Sequence, residues 1–249
     1  MTPQIKKLFQ INVELLELVD KAIVYFREQD YPAALEYMPA VSEKMKDVMD
    51  GIIGDKEYFE LVSTESLTEM LEGIVEASRA EDYVLLADLL ELQLCTLLCN
   101  VQELIMKKED YAFFSETMYR EQCAAMVEKL RSGGTESPEL LFETPLNPEE
   151  LLTQGYRVEV TSCGLMTVAV GTDRGSVYLH SNHKVALEAF LLARSFAKQE
   201  AETYLVKGFG MGYHVIELAK QKPEAKIKVY ENNGQILKLA CAFSPLKKM

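Results

Sequence analysis

Glycine takes every second position in Gly208-Phe-Gly210-Met-Gly212, directly after the apolar run Tyr204-Leu-Val and just before Tyr213 and His214. Glycines spaced in this way let a chain turn tightly. They also let free N–H groups at a helix start approach a ligand, and the group those N–H groups favour is an anion. Glu231 follows 23 residues after Gly208, where an acid in a dinucleotide-type site holds ribose hydroxyls. In that arrangement Gly208, Gly210 and Gly212 cradle phosphate, Glu231 holds ribose, and His214 or Lys207 meets the anion. A tight strand-to-helix turn without a ligand has the same pattern, so both readings stay open.

Other reactive side chains are sparse. The three histidines, His180, His183 and His214, all lie in the second half. His180 and His214 follow expected strands and can converge on the glycine turn; the alternative is capping or surface histidines. No Cys or acid spacing near them makes a metal site. Asp88 and Glu91 share a helix face and read as a solvent-facing stripe rather than a buried metal pair. Cys95 and Cys99 read as small core residues. Ser181 and Ser195 have no nucleophile-elbow context, and no set of residues amounts to a catalytic site.

The elements that must position these residues fall into two kinds. Over residues 1–132 the apolar positions recur at helical spacing. One helix is expected at 4–30, a second after Asp30 running to Gly51 and Gly54 that Pro39 kinks or whose start it shifts, and a third at about 56–80. A fourth spans Asp82 to about Lys108, and a fifth spans Asp110 to Arg131. The fourth is apolar around most of its circumference, which places it at the centre of a bundle. Three starts are alike: Gln29-Asp30-Tyr31, Glu81-Asp82-Tyr83 and Glu109-Asp110-Tyr111. Asp is a good N-cap, so the recurrence is shared cap chemistry or a degenerate hairpin repeat.

Residues 133–154, rich in Gly, Pro and acids, read as a linker. Beyond them the period changes to two. Residues 155–249 read as a small α/β domain: an antiparallel meander, a helix at 184–199, then strand 204–207, helix 212–221, strand 227–230 and a last helix at 233–243. The segment from 203 to 231 is one Rossmann-like βαβ unit. The expected class is α+β overall.

Charge divides at the same place. Residues 1–150 hold 13 Lys+Arg and 31 Asp+Glu, a net of −18; residues 151–249 hold 13 and 8, a net of +5; together they make −13. The acidic half repels nucleic acid and anionic lipid, so neither nucleic acid nor a membrane is expected as a partner. The richest apolar run, Tyr83–Met106, carries Asp88, Glu91 and Glu103 and reads as a buried helix. The N-terminus shows no signal-peptide pattern, and five cysteines without framework spacing fit reduced thiols, so the expected location is the cytoplasm.

At the glycine turn the chain resembles two families. One is the class I S-adenosylmethionine-dependent methyltransferases, whose first motif has an acid two residues before the first glycine; here Val206 stands at that position. The closer resemblance is to the motility-accessory-factor family, flagellin glycosyltransferase-like proteins with a 6-hydroxymethylpterin-pyrophosphokinase-like domain. It rests on Tyr178-Leu-His180-Ser181, Gly208-Phe-Gly210-Met-Gly212-Tyr213-His214 and Val229-Tyr-Glu231, and covers roughly 155–243. It implies a ligand site at His180, Gly208, Gly210, Gly212, Tyr213, His214 and Glu231 for a nucleotide or nucleotide-sugar, with S-adenosylmethionine as the second candidate. It also implies a relation to glycosyl transfer onto flagellin. Against that family the chain reads as a relative truncated before the transferase domain, which leaves a homodimer or a partner chain to complete the sheet. A non-catalytic interaction module is the alternative function.

Overall fold

The computed structural model describes residues 2–109, 116–132, 138–144, 146–244 and 246. The fold is α+β, and the chain forms two compact units. The first is Met1–Tyr111 with the short turn Ser162–Gly164; the second is Ala112–Thr161 with Leu165–Met249.

The first unit is built of helical hairpins. Helix α1 (Pro3–Arg27) starts where Thr2 accepts from Ile5 N–H, with Pro3 in the first turn. The chain then reverses through Gln29 at φ 63°, and Asp30 caps α2 (Tyr31–Gly54) by accepting from Ala33 N–H. The same device recurs after α3 (Thr64–Arg79): Glu81 takes φ 55° and Asp82 caps α4 (Tyr83–Asp88). Both turns close with a main-chain bond spanning five residues, Asp30 N–H to Tyr25 carbonyl at 2.9 Å and Asp82 N–H to Ala77 carbonyl at 3.0 Å. Their tyrosines meet, with the rings of Tyr31 and Tyr83 4.7 Å apart. The third start differs. Glu109 is extended, with φ −101°, and Asp110 and Tyr111 lie outside the described residues.

Three expectations change here. Helix α3 begins at Thr64 rather than near 56, because Ser63 caps it and residues 55–62 turn. Pro39 stays inside α2. The long fourth helix is continuous from Tyr83 to Lys108, through a π-helical stretch Leu89–Leu94 into α5 (Cys95–Lys108). It is not enclosed at a bundle centre. Leu86, Leu90, Leu94 and Leu98 are fully buried, but Val84 is 62% and Leu92 67% exposed. Among the described residues it is the one helical run long and apolar enough to cross a membrane, and 39% of its most apolar window is buried. Asp88 and Glu91 are both held by Arg27 (2.7 and 2.8 Å), so the paired carboxylates already have their cation. Asn12 and Gln102 form a fully buried pair at 2.7 Å inside this unit.

The second unit has its own core. Helix α6 (Glu116–Ser132) contributes Tyr119, Cys123 and Met126 to the cluster that also holds Tyr204, Val206, Leu218, Leu237 and Cys241. The boundary expected near 132 therefore moves to 111. Periodicity identifies a helix but not the core it joins; α6 lies on α10 (Gly234–Phe243), with Gln122 Nε2 donating to Cys241 carbonyl at 2.7 Å. The stretch expected as linker is also engaged. Residues 138–142 form a 3-10 turn whose Leu141 and Phe142 pack on the same core, and Leu151 in α7 (Pro148–Thr153) is buried.

Strands β1 (Tyr156–Val160), β2 (Met166–Thr172) and β3 (Gly175–Tyr178) make the antiparallel meander, with Val158 opposite Val168. Helix α8 (Val185–Ala197) follows. Then β4 (Thr203–Lys207), α9 (Tyr213–Gln221) and β5 (Lys226–Tyr230) form the parallel βαβ unit, Val206 opposite Val229.

Candidate functional site

The glycine turn stands where a parallel strand passes into a helix, between β4 and α9. Gly208, Gly210 and Gly212 take φ values of 85°, 53° and 80°, a left-handed region that side chains disfavour by roughly 1–2 kcal/mol per residue. The Gly210 position is also sterically closed, because a Cβ there would lie 2.7 Å from Nε2 of His180.

An anion cradle needs unpaired main-chain donors, and this turn has used most of its own. Gly208 N–H extends the sheet ladder to Tyr230 carbonyl (2.8 Å), and Gly212 N–H closes onto Phe209 carbonyl (2.9 Å). Phe209 N–H donates to the Glu231 carboxylate at 2.9 Å. Met211 N–H donates to Nε2 of His180 at 2.9 Å. Two expected ligand residues, Glu231 and His180, thus act in this structure as internal acceptors for the turn. Four main-chain N–H groups of the expected phosphate cradle, those of Gly208, Phe209, Met211 and Gly212, are met from within the chain.

These acceptor roles fix the histidine tautomers. His180 accepts at Nε2, so its proton sits on Nδ1, facing Glu188 Oε1 at 3.4 Å. Glu188 in turn accepts from Ser181 N–H. His214 Nε2 lies 3.3 Å from Gly208 carbonyl and must donate to it, which leaves Nδ1 bare. That Nδ1 is buried and has no hydrogen-bond partner among the described residues. Burial lowers the pKa of both rings; Glu188 opposes the shift at His180, and the neighbouring His180 adds to it at His214. The two rings lie 5.9 Å apart.

Tyr213 is a structural post. Its phenol donates to Met166 carbonyl (2.9 Å), and its ring meets His180 edge-on at 5.4 Å. His183 lies outside the cluster, in the exposed turn before α8. Lys207 is on the outward face of β4.

Glu231 links the turn to an open cleft of about 620 Å³ beyond the end of β5. Its second oxygen accepts from Asn233 N–H at 2.9 Å. Asn233 caps α10 by accepting from Gln235 N–H and donates from Nδ2 to the Tyr156 hydroxyl at 2.6 Å. Leu140 and Leu141 give the cleft an apolar lining, and Lys238, donating to Thr144 carbonyl at 3.0 Å, also lines it. Sequence patterns alone do not single out Leu140, Leu141, Asn233, Lys238 or Glu188. Asn233 carries a readable signal, a cap residue directly after the strand acid. The two leucines lie in a stretch whose composition is that of a linker.

Among the described residues no group of three or more His, Cys, Asp or Glu is placed to hold a metal. A family model described as a domain of unknown function (DUF8042) matches residues 5–104. That match falls on the helical unit and includes none of the residues of the glycine turn. Neither the curated proteins nor the solved structures contain a match to the chain.

Proposed function

We propose that the second unit binds a nucleotide or nucleotide-sugar at Glu231 and the cleft beside it, as a glycosyltransferase-related protein of the kind the motility-accessory-factor resemblance implies. The observation that carries this reading is the Glu231 carboxylate. Two main-chain N–H groups fix it at the mouth of a cleft, beyond the carboxyl ends of two parallel strands. An ionised carboxylate offers about four acceptor sites, and two are filled. The remaining two suit the vicinal hydroxyls of a ribose. The leucine lining suits a base, and Lys238 supplies a cation for the phosphate end. With most of the turn's own N–H groups occupied, the handle is the sugar rather than the phosphate. S-adenosylmethionine also carries a ribose, but its family's acid is Val206 here.

Calorimetry on the intact chain tests this with cytidine and uridine monophosphates, their 2′-deoxy forms and S-adenosylmethionine. The ribonucleotides bind, and each lost hydroxyl contact costs about 1 kcal/mol, roughly fivefold in affinity. No heat with any of them at millimolar concentration removes the reading.

A second reading is a non-catalytic interaction module, which pairs with another chain through the open sheet. It is favoured by the turn being satisfied from within and by both edges of the β4–β5 pair lacking a partner strand among the described residues. Gel filtration showing a monomer at all concentrations would remove it.

A further inference from the structure

The two faces of the β4–β5 sheet differ in kind. Tyr204, Val206, Ile227 and Val229 turn toward the core of the second unit. Thr203, Leu205, Lys207, Lys226, Lys228 and Tyr230 alternate with them and face outward. Leu205 is 65% and Tyr230 59% exposed. The register sets Leu205 beside Lys228 and Lys207 beside Tyr230. Parallel sheets are normally covered on both faces. This outward face holds three lysines and no carboxylate, in a chain of net charge −13. None of the three lysines has an ion-pair partner among the described residues.

Helix α3 carries the complement. Glu65, Glu69, Glu72 and Glu76 recur at i, i+4, i+7 and i+11, so they form one narrow stripe. All four are exposed, and none is ion-paired among the described residues. Val75, also exposed, flanks the stripe. The spacings agree. Side chains three or four apart on a helix are about 5–6 Å apart. Lysines at alternate strand positions are about 6.6 Å apart, and neighbouring strands about 4.8 Å.

We propose that the outward face of β4 and β5 docks helix α3 of a second copy of this chain. Lys207, Lys226 and Lys228 pair with the glutamate stripe, and Leu205 and Tyr230 cover Val75. Helix on sheet is the ordinary way such a face is buried. In a two-fold dimer the contact is made twice. Each footprint is small, so association is weak and depends on charge. The proposal requires neither a ligand at Glu231 nor pairing at the sheet edges.

Sedimentation equilibrium of the intact chain tests it at about 50 mM and about 500 mM salt, which shortens the screening length severalfold. The expected result is a dimer at low salt whose dissociation constant rises at least about tenfold at high salt. K226E/K228E and E69K/E72K, all at exposed positions, each give a monomer, and an equimolar mixture of the two restores a heterodimer. A monomer throughout, or a dimer indifferent to both variants, overturns the proposal. Loss of the dimer in only one of the two variants, or no recovery in the mixture, overturns α3 as the occupant.

Discussion

Gln29 and Glu81 in the helical unit, and Gly208, Gly210 and Gly212 in the α/β unit, all stand at positive φ. The hairpin turns accept that strain at ordinary side chains and satisfy it locally, since each closes on main-chain bonds to the helix it has just left. The glycine turn avoids the strain by omitting side chains, and then borrows acceptors from far along the chain: Glu231 from the end of β5 and His180 from the loop after β3. A turn closed by its own backbone cannot be opened without unfolding a helix end. A turn closed by a carboxylate and an imidazole can be opened by protonating the imidazole, or by a ligand that offers the same acceptors. The difference marks the second turn as the candidate for function.

The largest effect is expected at Gly210. In Gly210→Ala the methyl meets His180 Nε2 and the residue keeps a left-handed φ. Moving the ring away leaves Met211 N–H without its acceptor, at about 1–3 kcal/mol, on top of about 1–2 kcal/mol for the backbone. Urea denaturation should show a total loss of about 2–5 kcal/mol. An unchanged midpoint would mean that His180 does not close the turn.

A smaller effect separates the units by pH. Both imidazoles have pKa values lowered by burial in the folded chain, so the unfolded chain binds more protons as the pH falls through the ordinary histidine value near 6.5. Stability is full above that pH and declines as acid is added below it. All three histidines lie in the second unit, so its melting signal falls first. His180→Phe costs about 1–3 kcal/mol at neutral pH through the orphaned Met211 N–H and flattens the acid decline. If the variant titrates like the parent chain, the decline has another source.

The smallest effect belongs to the hairpins. Gln29→Gly relieves a left-handed non-glycine residue but adds freedom to the unfolded chain. Thermal denaturation should place it within about 1 kcal/mol of the parent chain. A loss above about 2 kcal/mol would show that the Gln29 side chain, not the main-chain closure, holds the turn.

The fold of the second unit is readable in the sequence because its signals are local. Alternation in Tyr204–Lys207 and Lys226–Tyr230, glycines between them and an acid after them mark the βαβ unit almost to the residue. The residues that converge at the turn are also readable by type: His180, His214 and Glu231. Their partners are not. Nothing in the spacing says that Glu231 satisfies Phe209 N–H, because the choice between a bound anion and an internal carboxylate is made by packing. Helix α6 falls in the unexpected unit for the same reason, since its apolar face fits either core. Leu92 has the pattern of a core residue because the apolar run around it is nearly continuous, yet it faces outward from a helix packed on one side.

Amide chemical shifts of the intact chain, followed as uridine or cytidine monophosphate and then inorganic phosphate are added, test the central claim most directly. If Glu231 is the handle and the turn is already closed, the ribonucleotide shifts Phe209, Asn233 and Gly234 together, and phosphate alone leaves Gly210 and Met211 unmoved. Shifts at Gly210 and Met211 with phosphate alone, or no shifts with any of them at millimolar concentration, would contradict it.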